Sequence, residues 1–315
     1  MLDISKKTTT LREAKAQAIL KVSPNTITLI KENKIPKGNP LEVAKVAAIN
    51  SAKNTSNIIP YCHPMPIEYT GVEYELKTNE IIISVEVKAI YKTGVEMEAL
   101  TAASVAALTL YDMMKMLDEK MEITGVKLLE KRGGKSDFKD KHESKLRAAV
   151  LVMSDTVSAG KKEDKSGKII MERLEKEGVE VIDYKIISDN VEDIQNTLIH
   201  YCDKLNLDLV LTTGGTGFSP RDNAPEAMKK IIEREIPGIP EIMRAYGQER
   251  TPYSMLSRGQ AGIRKKTVII NLPGSTGGVT DSLNAIFPAV LHSLKMICGY
   301  GHEDKTKEER EKVVV

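Results

Sequence analysis

Asp112 and Lys115 stand three residues apart in Gly94–Lys115, GVEMEALTAASVAALTLYDMMK, a stretch otherwise apolar and small. That spacing puts both side chains on one helix face. A carboxylate beside an amine can exchange protons or form a structural ion pair, and core helices seldom carry such groups unless they are paired or working. Glu96 and Glu98 add two more ionisable groups to the same stretch. His63 lies between prolines in Ile59-Pro-Tyr-Cys-His-Pro-Met-Pro66. Proline fixes its own φ and biases its predecessor toward extended backbone. A lone histidine is more often structural, but one on a rigid segment is cheap to orient and titrates near neutrality. Lys37, Lys131 and Lys135 recur near element ends. Most such lysines are solvated surface; two or three converging would suit a triphosphate.

A second constellation lies downstream. Asp208-Leu-Val-Leu-Thr-Thr-Gly-Gly-Thr-Gly217 carries a buried strand into a loop of small residues. In an open α/β sheet, ligands bind beyond the carboxyl ends of the strands. Gly214, Gly215 and Gly217 let backbone N–H groups approach an anion, and Thr213 and Thr216 add hydroxyls. Arg221 and Asp222 follow, a cation for phosphate and a carboxylate for Mg²⁺. Asp155 and Asp189 sit just past two other strand ends, and Asn271-Leu-Pro-Gly-Ser-Thr-Gly-Gly278 makes a second glycine turn. A single glycine turn is more often a turn or a cap. Three aspartates and two glycine loops at one sheet edge favour a ligand site. The first loop is not a Walker A loop, because no GK[ST] follows its glycines, and it lacks GxGxxG.

Elements must hold these residues in place, and 315 residues allow two domains. Over residues 1–130 helices and strands group without strict alternation. Leu11–Val22 reads as an amphipathic helix with a basic face, and Pro40–Lys53 as an Ala-rich one. Ile67–Leu76 and Ile81–Ile90 alternate as strands around a turn, the helix runs from Glu96 to about Leu117, and Ile123–Glu130 closes the sheet. The expected class is α+β, with helices on one face of an antiparallel sheet. Lys131–Arg147 is dense in charge and glycine, and the boundary is drawn there as domains 1–140 and 141–315. After it, strands 148–153, 179–187, 207–212 and 267–272 alternate with helices 167–177, 191–205, 225–234 and 280–297. That rhythm predicts an α/β three-layer domain with a mostly parallel sheet. The charged tail, residues 301–315, is expected to fray.

Composition removes several classes. Net charge is +2, and there is no Trp and only three Phe, so neither a bulk pull toward nucleic acid or membrane nor a base-stacking platform is expected. Cys62, Cys202 and Cys298 are odd in number and widely spaced, which fits a reducing compartment rather than disulfides or a zinc finger. The polar N-terminus is no signal peptide, and no apolar run nears the roughly 20 residues of a membrane span. A soluble cytoplasmic protein is expected.

Two family resemblances rest on these same residues. GVEMEALTAASVAALTLYDMMK, with IPYCHPMP and RGGKSDF, closely resembles the MoaC family over roughly residues 1–138. The resemblance implies a ferredoxin-like fold assembled as dimers into a hexamer. It implies conversion of (8S)-3′,8-cyclo-7,8-dihydro-GTP to cyclic pyranopterin monophosphate with loss of diphosphate, and no tightly bound cofactor. By motif, Asp112 and Lys115 would be the central acid–base residues and Lys131 a catalytic lysine. His63 and Lys37 would complete the pocket, with Tyr61, Cys62, Met97 and Glu98 lining the substrate.

TTGGTGFSPRDNAPEA, followed by NLPGST, resembles the MogA/MoaB family over residues 146–302. This implies adenylyl transfer from Mg-ATP to molybdopterin in an often trimeric three-layer domain. Asp189 and Asp222 match its catalytic carboxylates, with Asp222 a candidate Mg²⁺ ligand. Gly214, Gly215, Thr216 and Gly217 match its ligand-binding loop, and Asp155 and Ser275 match more weakly. The chain departs from the patterns at Lys37-Gly38-Asn39 (usually KGD), at Lys135-Ser136-Asp137-Phe138 (one glycine short of KSGDF), and at Thr276-Gly277-Gly278, where a lysine is common. The expected whole is a bifunctional enzyme of molybdenum cofactor biosynthesis, a homo-oligomer built on trimers, such as a hexamer. It would act on pterin and nucleotide substrates, with no nucleic-acid or membrane partner. The alternative keeps catalysis in the first domain alone and leaves the second as a molybdopterin-binding or oligomerisation module.

Overall fold

The computed structural model describes residues 1–140, 142, 144–297 and 299, so Cys298 and the tail 301–315 lie outside the described residues. The chain forms two compact units, divided between Asp137 and Phe138. That is three residues before the expected break after residue 140. Lys139 pairs with Glu177 at 3.2 Å, and Asp140 accepts hydrogen bonds from His292 Nδ1 at 2.7 Å and Lys295 Nζ at 3.0 Å. These contacts tie the end of the charged stretch to the second unit.

The first unit runs β1 (Thr10–Lys21), α1 (Pro24–Lys31), α2 (Pro40–Lys53), α3 (Thr55–Ile58), β2 (Tyr69–Leu76), β3 (Glu80–Tyr91), α4 (Glu96–Met114) and β4 (Glu122–Arg132). Its four-stranded sheet has the order β2-β3-β1-β4, with every neighbouring pair antiparallel. β1 corrects the expected helix over Leu11–Val22. Its alanines, lysines and glutamates favour a helix by local propensity. Its buried residues, Ala14, Ala16, Ala18 and Leu20, nonetheless recur with period two, and β3 and β4 pair with it on both sides. Tertiary pairing wins, because a central strand satisfies its backbone from two neighbours and buries a whole face. That face joins Ala99, Ala102, Ala103, Ala106 and Ala107 of α4 in one core with Ala44 and Ala48 of α2. Small residues on both surfaces permit close helix–sheet approach. Gly133 does similar work at the end of β4: its φ is +94°, and a Cβ there would meet Leu11 O at 1.7 Å.

The second unit runs β5 (Arg147–Met153), α5 (Asp155–Ser158), α6 (Ser166–Lys176), β6 (Glu180–Ile187), α7 (Val191–Ile199), β7 (Leu209–Thr213), α8 (Ala224–Lys229), β8 (Arg234–Glu235), α9 (Gly238–Gln248), β9 (Ala261–Arg264), β10 (Thr267–Leu272), α10 (Thr276–Ile286) and α11 (His292–Ile297). The six-stranded sheet has the order β6-β5-β7-β10-β9-β8. Its first four strands are parallel, and β9 and β8 are antiparallel at one edge. Apolar side chains from alternate positions feed two cores, one on each face. Three expected helices differ in extent. The helix over 191–205 passes into a π turn at His200–Lys204. The helix over 225–234 stops at Lys229, and Arg234 enters β8. The helix over 280–297 starts earlier, capped by Ser275, and breaks at Phe287–Pro288 before α11. Proline cannot donate the bond that a continuous helix requires there.

Candidate active sites

In the first unit, Asp112 emerges from the C-terminal turn of α4 and gathers two lysines. Lys115 Nζ lies 2.7 Å from Asp112 Oδ1, and Lys37 Nζ lies 3.0 Å from Oδ2 and 2.8 Å from the Asp112 carbonyl. The bonds from Lys115 and Lys37 hold the Asp112 carboxyl below its ordinary range, and Asp112 raises Lys115 in return. The pair was expected at the end of a buried helix. α4 does bury Met113 and Met114, but the side chains of Asp112 and Lys115 are 59% and 57% exposed.

The opposite end of α4 holds a different group. Glu98 is 2% exposed, and its Oε1 accepts from Cys62 Sγ at 3.2 Å, while its Oε2 has no hydrogen-bond partner among the described residues. Burial raises the Glu98 carboxyl. Burial first, then the Glu98 carboxylate, push the Cys62 thiol up to about 12. His63 Nε2 is 2.8 Å from Leu2 O, and Tyr61 and Met97 face solvent. Lys131 lies 3.6 Å from Glu96 and lines a cavity of about 330 Å³ with Lys7, Arg12, Lys92 and Arg132. Arg12, 8% exposed, donates to the Tyr91 and Lys92 carbonyls. Sequence reasoning missed Lys7, Arg12 and Lys92, because no motif marks them, and it gave no role to Arg132, which opens the RGGKSDF motif. The one available signal was a charged residue at a position that must face inward once Leu11–Val22 is read as a strand. The shortened 135–138 segment forms a single 3₁₀ turn, closed by Gly133 N–H donating to Asp137 Oδ2 at 2.7 Å.

Fourteen residues separate Glu98 from Asp112 on α4, about 21 Å at 1.5 Å per residue. One chain therefore presents its predicted first-domain residues as two groups: Lys37, Asp112 and Lys115 at one end, and Cys62, Glu98 and Lys131 at the other.

The second unit brings its predicted residues together. The four parallel strands end at one sheet edge, so Asp155 follows β5, Asp189 follows β6, the first glycine loop follows β7 and the second follows β10. Asp155 and Asp189 clasp each other: Asp155 N–H donates to Asp189 Oδ2 at 3.0 Å, and Asp189 N–H to Asp155 Oδ1 at 3.1 Å. Arg221 grips Asp155 through Nε and Nη2, both at 2.9 Å. The Asp189 N–H and Arg221 lower Asp155. Burial, then the charges of Asp155 and Asp222, raise Asp189, whose Oδ1 is buried without a partner among the described residues.

The first loop needs its glycines. Gly214 has φ +102°, and a Cβ there would meet Met153 O at 2.0 Å. A Cβ on Gly215 would come 3.4 Å from Asp189 Oδ1, and one on Gly217 would come 2.9 Å from Asp222 Oδ2, so the two carboxylates flank the loop. Thr213 Oγ1 donates to Pro273 O at 2.6 Å and ties the two glycine loops together. Ser275 accepts from Gly278 N at 3.1 Å as the cap of α10, and Thr216 is buried. Among the described residues no three His, Cys, Asp or Glu side chains form a ready metal cage. Asp189, whose Oδ1 has no partner among the described residues, and Asp222, whose Oδ2 accepts from Ser219 N–H at 2.8 Å, are the carboxylates that could hold a hard divalent cation.

A carboxylate with two lysines on an α+β unit, and a glycine loop with aspartates at the carboxyl edge of an α/β unit, give one chain two separate candidate sites. The MoaC family matches residues 1–134, and the family described as "Probable molybdopterin binding domain" matches residues 149–292. The molybdenum cofactor biosynthesis bifunctional protein of Chlorobaculum tepidum is 41% identical over 302 residues, covering 96% of each chain. This chain belongs to that bifunctional molybdenum cofactor biosynthesis family. Its first half is 52% identical over 138 residues to the cyclic pyranopterin monophosphate synthase of Syntrophomonas wolfei, covering 43% of this chain and 88% of that protein. Its second half is 42% identical over 156 residues to the molybdopterin adenylyltransferase of Helicobacter pylori, covering 49% and 89%.

Proposed function

We propose that one chain carries two enzymes of molybdenum cofactor biosynthesis. The first unit converts (8S)-3′,8-cyclo-7,8-dihydro-GTP to cyclic pyranopterin monophosphate and diphosphate; its split β-α-β-β-α-β order supports the ferredoxin-like reading. Asp112 and Lys115 exchange protons with the rearranging pterin, and Lys37 tunes Asp112. Lys131 and the cations around its cavity offset charge on the departing diphosphate. His63, Tyr61, Cys62, Met97 and Glu98 hold the ring. The second unit adenylylates molybdopterin from Mg-ATP, with Asp189 and Asp222 at the metal and the glycine loops on phosphate. Sulfur insertion separates the two steps, so fusion co-locates them without passing product directly from one site to the other.

The observation that carries this reading is that each unit brings its own charged residues, Lys37, Asp112 and Lys115 in the first and Asp155, Asp189 and Arg221 beside the glycine loop in the second. Assaying both reactions on the full chain and on Asp112→Asn and Asp222→Asn variants tests it. Each variant is expected to lose one reaction and keep the other. A wild-type chain forming no ATP-dependent pterin product would reduce the second unit to a binding module.

The separation of about 21 Å along α4 supports a homo-oligomer in which the first-unit site closes between two copies. Two copies related by a twofold axis across α4 would set Asp112 of one against Glu98 of the other. A trimer-based assembly, such as a hexamer, would serve both units. We place the protein in the cytoplasm; among the described residues no helix is long and apolar enough to cross a membrane.

A further inference from the structure

We infer that Arg258 is a positioning residue for phosphate in the second unit, acting through the peptide planes of the first glycine loop. This rests on the adenylyltransferase reading above. Arg258 belongs to none of the motifs that mark the site. It nonetheless contacts the loop at two points and the segment that follows the loop at two more. Its backbone N–H donates to Thr216 O at 2.9 Å, and its Nε donates to Gly217 O at 2.8 Å. Its Nη2 donates to the carbonyl of Asp222, and its Nη1 pairs with Glu226. In a trans peptide the C=O and the following N–H point in opposite directions. Capturing the carbonyls of Thr216 and Gly217 therefore turns the N–H groups of Gly217 and Phe218 the other way. Neither N–H has a hydrogen-bond partner among the described residues. Two unpaired N–H groups on the side of the loop away from Arg258 are donors available to an anion.

Arg258 is itself held firmly. A Cβ on neighbouring Gly259 would meet Asn271 O at 2.6 Å, so the segment lies hard against β10. Arg244 Nη1 reaches the carbonyls of Ser257 and Gly259, both at 3.5 Å. Arg258 thus connects the β10 scaffold to the loop and fixes which way the loop presents its donors. The ligand chemistry it serves is a phosphate or diphosphate group, whether from the nucleotide or from the pterin.

The test uses the full chain as wild type, Arg258→Ala and Arg258→Lys. Inorganic pyrophosphate, Mg-ATP and molybdopterin are titrated by calorimetry, and KM and kcat are measured for adenylylation. Hydrogen exchange of the second unit's β-strands in each variant serves as the folding control. Arg258→Ala is expected to raise KM and Kd for the phosphate ligand about 10–100-fold, the scale of one or two lost charge-assisted bonds. The fall in kcat is expected to be smaller, and added guanidinium ion is expected to restore part of the binding. Arg258→Lys should be intermediate, because a compact ammonium lacks the rigid planar fork that meets the Gly217 and Asp222 carbonyls and Glu226 from separate nitrogens. The substrate whose KM moves identifies the phosphate that the loop takes. Wild-type KM and Kd in Arg258→Ala would overturn the inference while leaving the adenylyltransferase reading intact. A wild-type chain that binds none of the three ligands would overturn both.

Discussion

The two candidate sites are assembled by opposite means. In the second unit the backbone does most of the assembly: four parallel strands end together, glycines allow loops to meet, and reciprocal Asp155–Asp189 bonds lock two strand ends. In the first unit side chains project from the two ends of one helix, and the central carboxylate is well exposed. A site made of strand ends is finished when its sheet is finished. A site made of helix-borne side chains depends on what is laid against the helix.

Four measurements can break or sharpen that contrast, from the largest effect to the smallest. Asp112→Asn should slow cyclic pyranopterin formation about 10²–10⁴-fold, the usual worth of a positioned acid–base group, with adenylylation unchanged. If both reactions fall together, the units are not independent. Asp222→Asn should cost adenylylation about 10²–10³-fold, the scale of removing one preorganised electrostatic contact, with no effect on the first reaction. Full retention of ATP-dependent product would remove Asp222 from the mechanism.

Alkylation of Cys62 at pH 8, followed by peptide mass spectrometry, should be far slower than for an ordinary surface thiol. Glu98→Gln should speed it about 10-fold, because the thiolate is the reactive form and its carboxylate neighbour suppresses it. Equal rates in the two proteins would show that Glu98 does not govern that thiol. Last, inactive Lys115→Ala and Glu98→Gln chains, mixed after dissociation, should regain about a quarter of wild-type first-unit activity if each site draws on two copies. No recovery would mean that a single chain closes its own site.

The exposed triad also has a defined pH window. Asp112 is lowered on folding, so its contribution to stability is present above the ordinary carboxylate range and fades as pH falls through its folded value. Lys115 is raised, so its contribution is present below the ordinary lysine range and fades as pH climbs through its folded value. Between those limits the pair should leave the melting temperature unaffected by pH. Asp189 has the opposite sign for a carboxyl: its raised value favours the protonated fold, and that advantage declines as pH rises from the ordinary carboxylate range to the folded value.

How much of this could be read in the chain follows the same division. The second unit declared itself because a parallel strand buried on both faces is a continuous apolar run, and because glycine loops and aspartates at strand ends keep their order in sequence. The helix break at Pro288 was visible in Phe-Pro-Ala yet lost in a long apolar stretch, and α9 was hidden among prolines and glycines. In the first unit the motif residues were evident, and fourteen residues of helix between Glu98 and Asp112 already implied their separation; what the chain did not reveal was that Lys37 reaches Asp112 and Lys131 reaches Glu96, because those pairings are made by the fold. β1 failed for a plainer reason: Ala, Lys, Glu and Leu speak for a helix, and only pairing partners about 70 and 110 residues away overrule them. Arg12 and Arg258 share one cause of silence. Each acts on carbonyls brought close by the fold, and a carbonyl leaves no mark on a sequence.

That strand of helix-forming residues has a consequence during synthesis. β1 emerges first, while the last of its two partners, β4, follows roughly 110 residues later, a wait of about 5–20 s at ordinary elongation rates. An exposed strand of strong β-formers would spend that interval inviting other nascent chains. A segment rich in Ala, Lys and Glu can instead coil on itself and satisfy its backbone locally until β3 and β4 arrive. Ribosome-arrested chains ending near residue 60 are therefore expected to show helix over residues 10–21 in exchange or spectroscopic measurements, and extended structure there would contradict it.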